Sequence, residues 1–232
     1  MIREGLSEAV SLLRTGDPAV VDAAIRSVWI SAVAVCLASL VGISGGLALA
    51  RKAIPGRRLV VLMARVGMAV PTVLIGLLCF GAFSRRGPLG SLELLYTNAA
   101  IVTGEFFLAL PIVITLTHSA IVGLDSRIPE SARTLGASPL QRGLTYLNEA
   151  RLAIVLAVLT AFSRCFTELG IAMMVGGNLP GRTRTLTTAT ALETSRGEFA
   201  RGMAMSLILL LIALLITVAT ACVNRNAEQE PS

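Results

Sequence analysis

Charge is scarce in this chain of 232 residues: 15% Asp, Glu, Lys and Arg against 54% hydrophobic residues. Soluble domains carry about 25% charged residues. That deficit, a mean hydropathy of +0.77 and several long uncharged runs exclude a soluble enzyme and place the chain among integral membrane proteins. Lysine is almost missing. Lys52, in Arg51-Lys52-Ala53, is the only one, and no Gly-x-x-x-x-Gly-Lys-Ser/Thr loop can include it, so the chain has no P-loop for ATP. The one histidine, His118, lies in an apolar segment without other ligand types at helical spacing and reads as a packed or helix-bonded side chain. Cys36, Cys79, Cys165 and Cys222 are dozens of residues apart, in or at the end of apolar runs, where free cysteine behaves as a small hydrophobe. No metal or redox spacing exists. Neither catalytic residues nor a metal site are expected.

What is present is a series of apolar runs. Residues 27–50 are uncharged throughout and closed by Arg51 and Lys52, long enough at about 1.5 Å per residue to cross a hydrocarbon layer of about 30 Å. Further spans are expected over about 59–83 (with Arg65 and Pro71), 97–123 (with Glu105, Pro111 and His118), 152–175 (with Arg164 and Glu168) and 203–223. The pattern predicts an all-α membrane protein of about five spans, with an interfacial segment over 1–26, loops over 124–151 and 176–202, and a tail over 224–232. Proline inside a span frees a carbonyl that a neighbouring helix or a water-lined cavity must satisfy. In the first span Gly42-x-x-x-Gly46 permits close helix contact.

The formal charge of +6 would suggest nucleic acid in a soluble chain, but here the basic residues sit in short segments between apolar runs, where they set topology. Lys and Arg outside the spans divide evenly between the two sides, nine and nine. The dense Arg51-Lys52 and Arg57-Arg58 pairs follow the first span and favour a cytoplasmic first loop, which puts the N-terminus outside and the C-terminus inside.

The 124–151 loop holds Glu130-Ser131-Ala132-Arg133-Thr134-Leu135-Gly136-Ala137-Ser138-Pro139. A short helix with acid in its first turn, a glycine able to leave helical geometry and a Ser-Pro start to the next helix read as a helix-turn-helix in water. This stretch resembles the cytoplasmic coupling loop of ABC importer permeases, Glu-Ala-Ala, three residues, Gly: Glu130, Ser131, Ala132 and Gly136 match it, with Ser131 in place of the first alanine. The later Ile-x-Leu-Pro of that pattern is missing, and Tyr146-Leu147-Asn148-Glu149 stands there instead. Further on, Arg164-x-x-x-Glu168-x-Gly170, then Met173-Met174-Val175-Gly176-Gly177-Asn178 and Thr183-Arg184-Thr185-Leu186-Thr187-Thr188-Ala189, resemble the oxyanion branch of these permeases, tungstate permeases above all and molybdate permeases next.

The resemblance implies a type I ABC importer permease core in the cytoplasmic (inner) membrane, moving tungstate, with molybdate or a sulfate-type oxyanion as the alternative. It also implies a second copy of the chain beside the first, a pair of ATPase subunits using ATP-Mg on the cytoplasmic side, and an oxyanion-binding protein outside. The coupling role falls to Glu130, Ser131, Ala132, Leu135, Gly136, Ala137 and Ser138. Candidate path or gate residues are Arg164, Glu168, Gly177, Asn178, Thr183, Thr187 and Thr188. Four residues apart, Arg164 and Glu168 share a helix face and can pair, which lowers the cost of charge inside a membrane and serves either packing or gating. Freed backbone N–H groups and hydroxyls suit a dianion, while helix packing by threonine is the competing reading. Arg182 and Arg184 form a candidate anion-attracting rim. Two readings from other classes stay open on the residues alone: an ion-coupled transporter using Glu105, Glu168 and His118 as proton sites, and a structural membrane protein whose loop binds an unrelated partner.

Overall fold

The computed structural model describes residues 2–51, 55–125, 127, 134 and 136–228, and among them every regular element is helical. In chain order these are α1 (Ile2–Thr15), α2 (Pro18–Arg51), α3 (Arg57–Gly67), α4 (Thr72–Phe83), α5 (Asn98–Val122), α6 (Pro139–Glu149), α7 (Arg151–Phe166), α8 (Leu186–Ser195) and α9 (Phe199–Glu228), with a 3-10 turn over Gly90–Leu92 between α4 and α5 and a π turn over Ala172–Gly176 between α7 and α8.

Among the described residues three helices are long and apolar enough to cross a membrane: α2, α5 and residues 199–218 of α9. The first begins earlier than the apolar run, because Asp17 accepts the Ala19 and Val20 amides at 2.8 and 3.3 Å and Pro18 supplies a preset first helical residue. Its 34 residues reach about 51 Å at 1.5 Å per residue, well beyond a hydrocarbon core. α1 does more than lie at an interface. Ala9 and Leu12 are buried with Leu186, Ala204, Met205 and Ile208 of α8 and α9, while Leu6 and Val10 face outward.

The expected second span is two helices, α3 and α4, bent by 99°. Pro71 closes the break, since it cannot donate to the preceding turn and disfavours helix at the residue before it. The expected fourth span is also divided. At 16 residues, α7 covers about 24 Å, then the chain leaves helical geometry at Thr167 and re-enters it in the π turn. Pro111, by contrast, stays inside an unbroken 25-residue α5.

α5 is the central post. Its Ala100, Ile101, Leu108, Ala109, Ile112 and Val113 pack against Ile30, Ala34 and Ala38 of α2 and against Ala161 and Cys165 of α7, all buried. The glycine pair of α2 explains the closeness of α2 and α5. A methyl placed on Gly42 would lie 2.8 Å from Val113 Cγ1, and one on Gly46 2.8 Å from Thr117 Cβ. Small residues let the backbones approach this nearly.

Candidate functional site

α2 fixes two loop regions at opposite ends of the bundle. Near its start, Arg26 donates to the Arg184 carbonyl at 3.2 Å. At its end, Arg51 donates to the Pro139 carbonyl at 3.0 Å and lies 5.0 Å above the Tyr146 ring. Twenty-five residues separate these arginines, about 37 Å of helix at 1.5 Å per residue.

At the Arg51 end, Ser138 caps α6 in a reciprocal box: its hydroxyl accepts the Gln141 amide at 3.3 Å and its own amide donates to Gln141 Oε1 at 2.7 Å. Gly136 before it has φ of +73°, the left-handed geometry that lets the loop turn into α6. Of the expected coupling residues, Gly136, Ala137 and Ser138 are therefore placed at this end, and Glu130, Ser131, Ala132 and Leu135 lie outside the described residues. Sequence reading missed the Arg51 clamp, which holds α6 to the end of α2. No local pattern announces it, because its partners are 88 and 95 positions away.

At the other end, residues 176–188 form one bonded unit. Thr183 is 1% exposed; its hydroxyl donates to the Gly176 carbonyl at 2.6 Å and accepts the Leu179 amide at 3.0 Å, closing the loop on itself. Gly177 has φ of +69°, and a Cβ there would lie 2.6 Å from Tyr96 Cδ1, so both backbone and space demand glycine. Asn178, at φ +52°, accepts from Arg184 Nε at 3.1 Å. Thr185 and Thr188 cap α8 reciprocally, and the Leu186 amide donates to Ser27 of α2 at 2.8 Å.

Glu168 joins this unit to α7. One carboxyl oxygen accepts the Gly170 and Ile171 amides at 2.7 and 3.2 Å, and the other pairs with Arg164 at 3.1 Å. Its carbonyl accepts the Thr187 hydroxyl at 2.9 Å. The carboxyl thus stands in for the intrahelical partners that two orphan N–H groups lack where the chain restarts after α7.

The hydroxyl protons of Thr183, Thr187 and Thr188 are all donated to protein carbonyls. An ion that only accepts hydrogen bonds would have to displace those partners. Arg182 differs: it is exposed, and its side chain makes no hydrogen bond or ion pair among the described residues. Glu105, on α5, is buried at 3% exposure and one of its carboxyl oxygens has no partner. His118 is nearly buried and meets Arg57, a contact with no sequence signal across 61 positions. Among the described residues no group of three or more His, Cys, Asp or Glu could hold a metal ion.

Residues 28–230 match the family described as binding-protein-dependent transport system inner membrane component. The chain is 38% identical over 225 residues to the tungstate uptake system permease protein TupB of Campylobacter jejuni subsp. jejuni serotype O:2, covering 97% of this chain and 94% of that one. It is 36% identical over 215 residues to the TupB of Peptoclostridium acidaminophilum, covering 93% and 94%. Molybdenum and sulfate transport permeases match at lower identity. Among solved structures, a chain of the inward-facing MetNI methionine ABC transporter superposes with a TM-score of 0.74 at 18% identity, over 90% of this chain and 95% of that one. A helical bundle with one loop region at each end of α2, matched along nearly its whole length by such proteins, belongs to the family of binding-protein-dependent transport system inner membrane components, the permease subunits of ABC importers.

Proposed function

We propose that this chain is the membrane-spanning subunit of an ATP-driven importer of tungstate. The observation that carries the reading is the similarity to two tungstate permeases over more than nine-tenths of the chain. Two copies flank the ion's route, because a bundle with one broken span and one divided span is too small to enclose it alone. A pair of ATPase subunits docks where Gly136 and the start of α6 meet Arg51, and an oxyanion-binding protein docks at the loop bearing Arg182. The N-terminus lies outside and the C-terminus inside, so the Arg51 end faces the cytoplasm.

In this reading ATPase movement at the 124–151 loop passes through the Arg51 clamp to α2, and α2 carries it to the loop held by Arg26 and Ser27. Glu168 is a positioning residue that holds the loop after α7, rather than a charge that opens and closes.

The test is reconstitution of the whole importer in proteoliposomes. ATP-dependent, vanadate-sensitive uptake of tungstate is expected, with molybdate and sulfate in parallel arms. Uptake of molybdate or sulfate without tungstate overturns the substrate, and transport by the permease alone on a proton gradient overturns the mechanism. Gly136→Val is expected to lose the co-purifying ATPase, since a β-branched residue resists positive φ; retained association with coupled uptake refutes the docking site.

A further inference from the structure

α3 runs antiparallel along α5, with Arg57 at His118 and Gly67 at Pro111. Between them lies an open cleft of about 590 Å³ lined by Arg57, Arg58, Val61, Leu62, Arg65 and His118. Positions 57, 61 and 65 recur every fourth residue, so they share one face of α3. The cleft sits at the Arg51 end of the bundle, one turn from the end of α5.

Its chemistry is one-sided. Arg57, Arg58 and Arg65 have no carboxylate partner among the described residues, whereas Arg26, Arg164, Arg196 and Arg201 each have one. A guanidinium can only donate. The Arg57 Nη2 contact to His118 Nε2, at 3.4 Å, therefore makes Nε2 an acceptor and leaves the ring proton on Nδ1. That Nδ1 is buried without a partner, and the residue is 8% exposed, so Arg57 is the ring's one polar partner among the described residues. Three guanidinia face one space with no negative group among the cleft-lining residues, and the His118 ring behind Arg57 keeps its N–H on the buried side. What suits such a wall is a compact ion that accepts hydrogen bonds from several directions and offsets more than one positive charge.

We propose that this cleft is a tetrahedral oxyanion subsite, held by Arg57 and Arg65 and closed on its inner side by His118, which receives the transported ion at the ATPase-side end of its route. The subsite rests on the tungstate reading above. An ion drawing Arg57 onto itself frees the His118 ring, which can then turn a donor toward the same ion. Two of the three arginines stand on an exposed face, so water competes for the ion and the site releases it rather than trapping it.

The phosphate of an anionic lipid offers the same chemistry, and the experiment separates the two. The permease–ATPase complex is placed in nanodiscs of phosphatidylcholine alone, and tungstate binding is read by equilibrium dialysis with elemental detection, with molybdate and sulfate in parallel. Saturable binding is expected that weakens as salt rises, falls at least tenfold in R57Q/R65Q, falls severalfold in R65Q, whose site is exposed and safe for folding, and is unchanged in R86Q at the other end of the bundle. No saturable binding of any of the three ions to the wild type, or equal binding by wild type and R57Q/R65Q, overturns the subsite. In nanodiscs containing phosphatidylglycerol, loss of co-purifying phosphatidylglycerol from R57Q/R65Q with unchanged oxyanion binding assigns the cleft to lipid and also overturns it. Vanadate-sensitive uptake on the same preparations keeps the two readings apart: wild-type tungstate uptake with unaltered binding in the variants sinks the subsite alone, and molybdate uptake without tungstate sinks the substrate while arginine-dependent molybdate binding supports the subsite.

Discussion

Replacing Glu168 separates a packing carboxyl from a gating one. Its side chain is 3% exposed and that of its partner Arg164 is 44% exposed. Half in solvent, the guanidinium makes an ion pair of about 0–1 kcal/mol. The two backbone N–H groups are another matter. Hydrogen bonds to a charged acceptor contribute about 1.5–3 kcal/mol each, so Glu168→Ala, which leaves Gly170 and Ile171 bare in a buried turn, costs about 3–6 kcal/mol. Against a total stability of about 5–15 kcal/mol that removes much of the fold. Glu168→Gln keeps an oxygen where both amides point and loses only charge, so its cost is about 1–2 kcal/mol. Thermal unfolding of the solubilised permease–ATPase complex, with uptake measured beside it, should rank wild type, Gln and Ala in that order with a wide gap before Ala. An Ala variant unfolding with the wild type, or Gln and Ala destabilised alike, would refute the capping role. Unchanged stability in both Glu168→Gln and Arg164→Gln, with altered uptake in both, would identify a gate instead.

Thr183→Val keeps the shape of the side chain but strands the Gly176 carbonyl and the Leu179 amide, a loss of about 2–6 kcal/mol, while Thr183→Ser should stay near wild type by the same unfolding measurement. Gly42→Ala drives a methyl against Val113 and should lower stability by about 1–3 kcal/mol, as overpacking does; a neutral result would mean that α2 and α5 slide apart freely. Arg51→Ala removes the Pro139 bond and the Tyr146 contact, the latter worth about 0.5–1 kcal/mol at an exposed site. The fold should survive, and uptake per ATP hydrolysed should fall; unchanged coupling would show that force passes elsewhere. Arg182→Gln should slow uptake severalfold at limiting substrate in low salt and match wild type in high salt, since the effect of an exposed, unpaired charge is steering.

Legibility followed the range of the interactions. The membrane class, the apolar runs, the proline interruptions and the Ser138-Pro139 start of α6 are written in composition and local spacing, whereas the early start of α2 at Pro18 and the end of α7 at Phe166 are not. Pro71 announced an interruption but not its size, because a 99° bend depends on what receives α4: Gly76 of α4 lies against Met174 of the π turn. Arg164 and Glu168 were visible as a pair, four residues apart. That Glu168 chiefly caps a helix restart was not, since the pattern that predicts a continuous span hides the break at Thr167. Ser27 with Leu186 and Arg57 with His118 join positions 159 and 61 apart, and nothing in a period of 3.6 encodes such partners.

The two ends of α2 differ in what they leave free. At the Ser27 end the threonine hydroxyl protons, the Arg184 side chain and the Glu168 carboxyl are all engaged with protein groups, so the loop after the π turn is stiff and presents Arg182 as its unengaged cation. At the Arg51 end, by contrast, three guanidinia on α3 lack carboxylate partners among the described residues. A dianion meeting the first surface is attracted but finds no free hydroxyl proton to replace its water, whereas at the second it meets donors without displacing any carboxylate. On the importer reading proposed above, capture from dilute solution therefore falls to the separate binding protein, docked at the stiff end. In the same reading the ion leaves that protein once movement carried by α2 opens the way, and the cations proposed as its subsite receive it at the other end.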